Sequence, residues 1–477
     1  MKTSGSPSTA QSRFLQLLGL PRALLLFFGA LALSSGAFAA SFAKGDLVEV
    51  TREAPLYFKE ATLVRTAQKG ERFTVLAARP DTHRVFVSAK DAFGQEIALN
   101  VSDDALILVK NLGPAGPVIS GEATRLPGAM AGRAGDAARK AGRVKNAGTD
   151  ASEKAVIAGL RWLVKTQRPD GSWSEQHKAA MTGFALLSFL GHGETNTSAE
   201  FGKTVQAGID WVMDKGKAQN GVLTDHGRID QPGSYTHGIV TYALGEYYTM
   251  TRDEPAGELF KQAIKLIVDG QGPDGGWMYG YDKSQSDTSV GGWQIQALKI
   301  AHLSGLNIDG VDAAMDKAML NLKRVQTANG GFGYRTAEDR YGLTGVGVLG
   351  NYCWHQAKNE RVTNGLKFIM SQLEANPVEY KHATADLYAW YYNTQAILMV
   401  SGANGPEWKN WNAMCQEQLI VNQKPDGSWP VMTHAGHGSL QNSVAGAGPY
   451  YRTCLSILML EVYYRYAFSP TARRPEP

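Results

Sequence analysis

The residues of this sequence best suited to chemistry are two aspartates, Asp287 and Asp386, each of which comes just before a strongly apolar and aromatic segment. A carboxyl group in such surroundings can donate or accept a proton. Further candidates stand at the starts of the same and of similar segments, and we predict that they bind a ligand: Tyr235, His237, Thr288, Trp293, Tyr388, Tyr391, Tyr451 and Arg452. Aromatic rings with a few charged groups are typical of a pocket for an apolar or sugar-like ligand.

Simpler explanations compete with these roles. Asp287 in the segment SQSDTSVGG is suited to accept backbone N–H groups as the N-cap of a helix. The aromatic residues are equally suited to fill the interior of a helical barrel. An enzyme would need Asp287 and Asp386 to face each other across an open cavity.

No metal or other cofactor is predicted. Cys353 with His355, and His382 with Asp386, come nearest to a zinc ligand set, but helix packing and surface capping explain them better. The three cysteines of the chain have no C-x-x-C spacing and are too few for a disulfide framework.

Six pairs of segments with helical periodicity must position the candidate residues. The first members lie at residues 152–166, 201–217, 256–269, 312–326, 360–372 and 408–422, and the second members at 178–191, 235–250, 287–303, 341–356, 386–400 and 450–467. The second members are apolar on most faces, which indicates buried helices. We therefore predict a mainly α fold over residues 151–470, an (α/α)6 toroid of six helical hairpins in which the inner helices all begin at one end.

A repeated heptapeptide joins the helices in four of the six pairs. It reads QRPDGSW at residues 167–173, QGPDGGW at 271–277, QTANGGF at 326–332 and QKPDGSW at 423–429. Its constant place in the hairpin favours a structural staple, in which the turn ends the outer helix and the aromatic ring packs between hairpins. A sugar-binding Trp-Asp loop is the functional alternative.

This repeat, over roughly residues 152–468, resembles the QW motif of squalene-hopene and oxidosqualene cyclases, and more loosely the β-subunits of protein prenyltransferases. The C-terminal stretch is similar to exported bacterial members of that superfamily. The resemblance implies a terpenoid cyclase-like toroid that binds an isoprenoid-like ligand. Such cyclases protonate an alkene with a DxDDTA motif, of which this chain keeps Asp287 and Thr288, while Ser284 and Ser286 replace the other carboxylates.

We therefore expect an apolar ligand or a partner protein to be bound without polyene cyclisation. The alternative is a divergent terpenoid cyclase or transferase, or a glycan-active enzyme, that uses the same central cavity. A pure scaffold with no open cavity is a third possibility.

The N-terminal third has a different composition. Residues 1–39 contain arginines, an apolar run at 23–33 and an A-x-A site, which predict a cleaved signal peptide and a periplasmic or extracellular protein. Five short alternating segments within residues 40–110 predict a small all-β barrel that resembles bacterial SH3-like domains. Residues 111–150, rich in Gly, Ala and basic side chains, are predicted to be a linker.

The SH3-like domain and the basic linker are candidates for contact with the envelope or cell wall. A net charge of +4 over 477 residues gives no reason to expect nucleic-acid binding.

Overall fold

The computed structural model describes residues 47–50, 52–58, 62–69, 71–79, 84–90, 96–102, 106–110, 126–355, 359–431 and 448–466. The predicted signal peptide, residues 1–39, lies outside them. Within the described ranges, no helix has the length and apolar character needed to cross a membrane. The chain divides into two compact units, Met1–Ala115 and Gly116–Pro477.

The first unit contains one antiparallel sheet of seven strands. They are β1 Leu47–Val50, β2 Ala54–Phe58, β3 Thr62–Ala67, β4 Arg72–Arg79, β5 Arg84–Lys90, β6 Glu96–Ser102 and β7 Leu106–Lys110, in the order β3-β2-β6-β5-β4-β1-β7. Alternate residues such as Val75, Val85 and Val101 form its buried core. Five of these strands match the predicted segments, whereas β2, which contains Pro55, and β3 were not predicted. The SH3-like assignment stays a prediction.

The second unit is helical. Its inner helices are α3 Lys178–His192, α5 Gly233–Thr251, α7 Thr288–Ser304, α9 Tyr341–His355, α11 Leu387–Ser401 and α13 Tyr450–Leu460, the last followed by the short α14 Val462–Arg465. Its outer helices are α2 Asp150–Thr166, α4 Gly202–Ala218, α6 Glu254–Asp269, α8 Val311–Val325, α10 Glu360–Ser371 and α12 Pro406–Val421. Each outer helix begins and ends within two residues of the predicted bounds.

The inner helices form a closed ring. Each one contacts the next along the chain, and α13 contacts α3, so that the sixth hairpin meets the first. The inner helices are buried on nearly every face, as residues 179–192 of α3 show, whereas the outer helices bury one side. The predicted (α/α)6 toroid is confirmed, and its inner helices begin at one common end.

The repeated heptapeptide is a staple between hairpins. Each glutamine donates its side-chain amide to the carbonyl of the turn glycine four residues later and to a carbonyl of the next outer helix. The second acceptors are Thr204, Ala314, Arg361 and Ala155. The Nε1–H groups of Trp173, Trp277 and Trp429 each donate to a carbonyl ten residues earlier, at 2.7 to 2.8 Å. These rings are at most 1% exposed, so they cannot stack on a sugar.

The predicted linker is wrong for residues 126–150. They form a 3-10 helix, Gly128–Arg133, and a helix α1, Asp136–Lys145, and three of their arginines are buried. Arg133 donates to the carbonyl of Leu190, and Arg139 donates to that of His192 at 2.9 Å. The carbonyl of Leu190 also accepts the N–H of Gly193 at 3.0 Å, so the two arginines add donors and positive charge at the negative end of the α3 helix dipole. The buried arginines are therefore not available to an anionic surface.

Candidate functional site

A cavity of about 320 Å³ lies at the N-terminal ends of four inner helices, α3, α5, α7 and α13. Its walls are mainly apolar and aromatic: Met181, Phe184, Tyr235, Ile239, Tyr279, Trp293 and Tyr451. His177 and the Gln231-Pro232 pair lie at the same cavity. A volume of this size and such a lining are typical of a small-molecule site.

Three of the predicted ligand-binding residues line this cavity, namely Tyr235, Trp293 and Tyr451. The sequence places them on three different inner helices, and ring closure brings α13 beside α3. The ring of Phe184 on α3 packs edge-on against Trp293 at 5.2 Å and against Tyr451 at 5.6 Å. One aromatic wall therefore joins α3, α7 and α13.

A second cavity, of about 350 Å³, lies where the inner helices end. Gln395, Leu398, Arg465 and Tyr466 are among the residues that line it. None of the predicted site residues lines this second cavity. We therefore place the candidate site at the cavity where the inner helices begin.

Asp287 caps helix α7 from a buried position. Its Oδ1 accepts the backbone N–H groups of Ser289 and Val290, at 2.7 and 3.4 Å, and the hydroxyl of Ser289 at 2.6 Å. Its side chain is buried, and Oδ2 makes no hydrogen bond of normal geometry with a described residue. Asp287 does not line the cavity but stands behind its wall.

Phenol groups connect that carboxylate to the cavity. Tyr235 bonds to the hydroxyl of Ser289, Tyr279 bonds to Tyr334, and the hydroxyl of Tyr388 donates to the carbonyl of Ser289 at 3.3 Å. Burial raises the pKa of Tyr235, Tyr279 and Tyr334, and the negative charge of Asp287 raises it further. The three phenols are therefore neutral hydrogen-bond donors at ordinary pH.

Asp386 is also an N-cap. Its Oδ1 accepts from the backbone N–H groups of Tyr388 and Ala389, at 3.0 and 3.3 Å, at the start of α11. Burial raises its pKa, although the backbone bonds and the positive charge of Arg452 oppose this. Asp386 is absent from the lining of the cavity.

The two aspartates do not form a pair across open space. The rings between α7 and α11 fill the interior: Trp293 stacks on Tyr391 at 5.6 Å and contacts Tyr388 and Tyr392 at 6.4 and 5.5 Å. Asp287 and Asp386 are therefore not placed to act as acid and base from opposite sides of this cavity.

The remaining predicted site residues make their contacts within the protein and not at the cavity. His237 is fully buried, accepts the N–H of Leu223 at Nδ1 and bonds to the carbonyl of Ala263 at Nε2, and burial lowers its pKa to about 4. Thr288 is buried in the first turn of α7. Arg452 lies 5.2 Å from the centre of the Tyr380 ring. A ligand in the cavity does not meet these side chains, because they lie outside its lining.

Tyr279 and its partner Tyr334 were not among the predicted site residues. Each follows the last residue of a heptapeptide by two positions, Tyr279 after Trp277 and Tyr334 after Phe332. An aromatic-x-Tyr extension of the repeat in these two copies was the available signal. Phe184, in the middle of α3, had no signal beyond its apolar surroundings.

Of the zinc candidates, Cys353 and His382 have other contacts, and the side chain of His355 lies outside the described part of the structure. Among the described residues, no three His, Cys, Asp or Glu side chains come together as a metal site would require. The thiol of Cys353 contacts the sulfur of Met399 at 4.0 Å, and exposed His382 accepts the N–H of Thr384. All three cysteines are buried free thiols.

No protein-family model and no curated protein matches this sequence. Among solved structures, it is similar to a variant of the type II terpene cyclase MstE from Scytonema, in complex with geranylgeranyl dihydroxybenzoate, with a TM-score of 0.48 and 11% identity over 66% of this chain and 98% of that one. An inactive variant of the α-1,6-mannanase GH76A of Salegentibacter sp. HEL1_6, in complex with α-1,6-mannotriose, gives 0.47 and 12% over 66% and 99%.

An unsaturated glucuronyl hydrolase specific for heparin gives a TM-score of 0.48 and 11% identity, over 66% of this chain and 97% of that one. Similarities of this size do not decide between the activities of these proteins. The ring described above rests on the helix contacts of this chain itself.

Proposed function

We propose that this protein binds an apolar, isoprenoid-like ligand in the cavity at the N-terminal ends of its inner helices, and that it does so without polyene cyclisation. The observation that carries the proposal is the lining of that cavity, in which the rings of Phe184, Trp293 and Tyr451 meet the phenols of Tyr235 and Tyr279. Apolar rings give such a ligand most of its binding free energy. The phenols orient one oxygen of the ligand, since they stay protonated.

The absence of a suitably placed acid supports binding over cyclisation. Alkene protonation needs a carboxylic acid that points at the substrate, whereas Asp287 stands behind the wall and uses Oδ1 as a helix cap. Ser286, one position before it, donates its hydroxyl to Asp274 of the second heptapeptide at 2.5 Å and accepts from Asn321 at 2.9 Å. A side chain held in this way is part of the staple.

A divergent cyclase or transferase is the second candidate, and the observation in its favour is the buried carboxyl group of Asp287, which acts on the phenols of Tyr279 and Tyr334. A glycan-active enzyme has less support. Glycoside hydrolysis usually employs two carboxyl groups about 5 to 10 Å apart. Among the described residues that line the cavity, there is no Asp or Glu.

The proposal is tested by titrating the purified protein with farnesol, an isoprenoid alcohol, while tryptophan fluorescence and native mass spectrometry are recorded. We expect a one-to-one complex. Tyr279→Phe removes one donor at the cavity wall and should weaken binding about three- to tenfold. Ile239→Trp should abolish binding because the larger side chain fills the space.

Tyr463→Phe is the matched control, since that buried phenol bonds to Asn412 away from the cavity. The absence of a complex with farnesol and with longer isoprenoid alcohols would reject the proposal. Incubation followed by gas chromatography separates the two candidates. A new product that disappears in Asp287→Asn would establish the enzyme instead.

A further inference from the structure

Two carboxylates next to the cavity have no cationic partner. Asp287 stands behind the wall formed by Tyr235 and Tyr279, and Asp225 accepts the N–H of Ala179 at 2.7 Å, directly before Ala180 in the cavity lining. Neighbouring acids are paired, since Asp170 bonds to a lysine and Asp230 to an arginine. Among the described residues, neither Asp225 nor Asp287 makes an ion pair.

The two carboxylates face no lysine or arginine in the lining of the cavity, although that lining includes His177. The N-terminal ends of α3, α5, α7 and α13 supply partial positive charges, each equivalent to roughly half a unit. Asp225 and Asp287 cap two of these ends, those of α3 and α7. The carboxylate of Asp287 also acts on the cavity wall itself, because its charge helps to raise the pKa of Tyr235 and Tyr279.

The cavity wall presents the surfaces that attract a cation. Tyr235 and Tyr279 have ring centroids 5.6 Å apart, and Phe184 and Trp293 meet edge to face at 5.2 Å. The faces of such rings carry negative partial charge and bind ammonium groups, most strongly where water is excluded. A carboxylate behind the rings adds a long-range attraction that does not require contact.

We propose that the ligand is a cationic amphiphile, an apolar chain or ring system that carries one ammonium group beside Tyr235 and Tyr279. This inference rests on the proposed function and adds the sign of the ligand's charge. The apolar part lies against Phe184, Trp293 and Tyr451. The carboxylates of Asp287 and Asp225 attract the ammonium group while each remains in its helix cap.

The test compares three probes that share one decyl chain, each below its micelle concentration. They are decyltrimethylammonium, its isostere of zero net charge decyldimethylamine N-oxide, in which an oxygen replaces one N-methyl group, and decyl sulfate. Titration calorimetry and tryptophan fluorescence of the whole protein at low salt should show the cation bound about tenfold more tightly than the isostere. Decyl sulfate should bind more weakly than either.

Asp287→Asn should reduce the preference for the cation to about threefold or less, and Asp225→Asn should reduce it as well. Asp253→Asn is the matched control, since Asp253 caps outer helix α6 through a bond to Ala256 at 2.9 Å, and it should leave the preference unchanged. If Asp287→Asn does not fold, two other measurements test the same attraction. The preference for the cation should fall in Asp225→Asn, and it should fall in the wild type at higher salt.

Equal affinities for the cation and the isostere overturn this inference and leave the proposed function standing. A preference for decyl sulfate also overturns it. Failure of all three probes and of farnesol to bind overturns both.

Discussion

Gln423, which follows the last outer helix, donates its side-chain amide to the carbonyl of Ala155 in the first outer helix, at 2.8 Å. The same amide also donates to Gly427 in its own turn, at 2.9 Å. Three other glutamines make the equivalent pair of bonds to the next outer helix along the chain. The ring is therefore closed by the same device that joins its successive hairpins.

Gln423→Ala should lower the free energy of unfolding by about 1 to 3 kcal/mol, because it leaves two carbonyls without a donor at the seam of the ring. Urea denaturation followed by circular dichroism measures this. Gln372→Ala is the control, since its side-chain amide reaches only the exposed hydroxyl of Ser371, at 3.4 Å. Equal effects of the two substitutions would contradict a role for Gln423 in closure.

Gly427→Ala should destabilise the protein more than Gly305→Ala does. Both glycines have positive φ, +96° and +75°, so alanine is strained at either position by about 1 to 2 kcal/mol. A Cβ on Gly427 would also stand 2.2 Å from the carbonyl oxygen of Ala158, whereas a Cβ on Gly305 meets nothing within 4 Å. The difference between the two melting temperatures measures the effect of the contact with Ala158, where the turn lies close to the first outer helix. Equal melting temperatures would contradict this close approach.

The toroid could be predicted from the sequence because the patterns that specify it are local and are repeated along the chain. Helices apolar on all faces alternate with amphipathic ones, and the Gln and aromatic residue of the heptapeptide keep a spacing of six. The burial of residues 126–150 could not be predicted in this way. Arg133 and Arg139 lie in a segment whose composition is typical of a solvated chain. The groups that they bond to lie at the ends of inner helices, far away in the sequence.

The candidate site could be predicted only in part, for a related reason. The start of each inner helix was identifiable, and Tyr235, Trp293 and Tyr451 were found through it. Which side of a wholly buried helix faces a cavity does not follow from periodicity, since every face is apolar. His237 illustrates this, because its neighbour on the same helix turn, Thr236, lines the cavity while His237 bonds to the backbone of Leu223 and Ala263.

His192 should make the stability of the protein depend on pH. Burial lowers its pKa, but hydrogen bonds to Glu153 and Glu194 outweigh burial and raise the pKa above its usual value. A raised folded pKa stabilises the fold fully below the unfolded pKa of about 6.5, and this contribution is lost as the pH rises through the folded value. The difference in unfolding free energy between the wild type and His192→Gln should therefore be largest near pH 6 and decline towards pH 9.

Urea denaturation at a series of pH values measures that difference. His226→Gln is the control, because that side chain is exposed, and its difference from the wild type should not follow the same course. A difference for His192→Gln that grows as the pH rises would show that the imidazolium form is not the one the fold stabilises.

Lys299 should have the opposite pH dependence. Its amine is fully buried, has no hydrogen-bond partner among the described residues and lies 4.1 Å from the centre of the Tyr466 ring. Burial lowers its pKa to about 8. Between that value and the ordinary lysine pKa of about 10.4 the unfolded chain binds more protons than the folded one, so stability rises with pH across this interval.

Lys299→Met removes the buried amine and this dependence with it. The wild type should gain stability relative to Lys299→Met as the pH rises from about 8 to 10, while at pH 7 the wild type bears the full cost of the buried charge. Lys265→Met, at an exposed ion pair with Asp269, is the control and should run parallel to the wild type. Parallel curves for Lys299→Met as well would mean that the Lys299 amine keeps its proton throughout, held by the rings of Tyr242 and Tyr466.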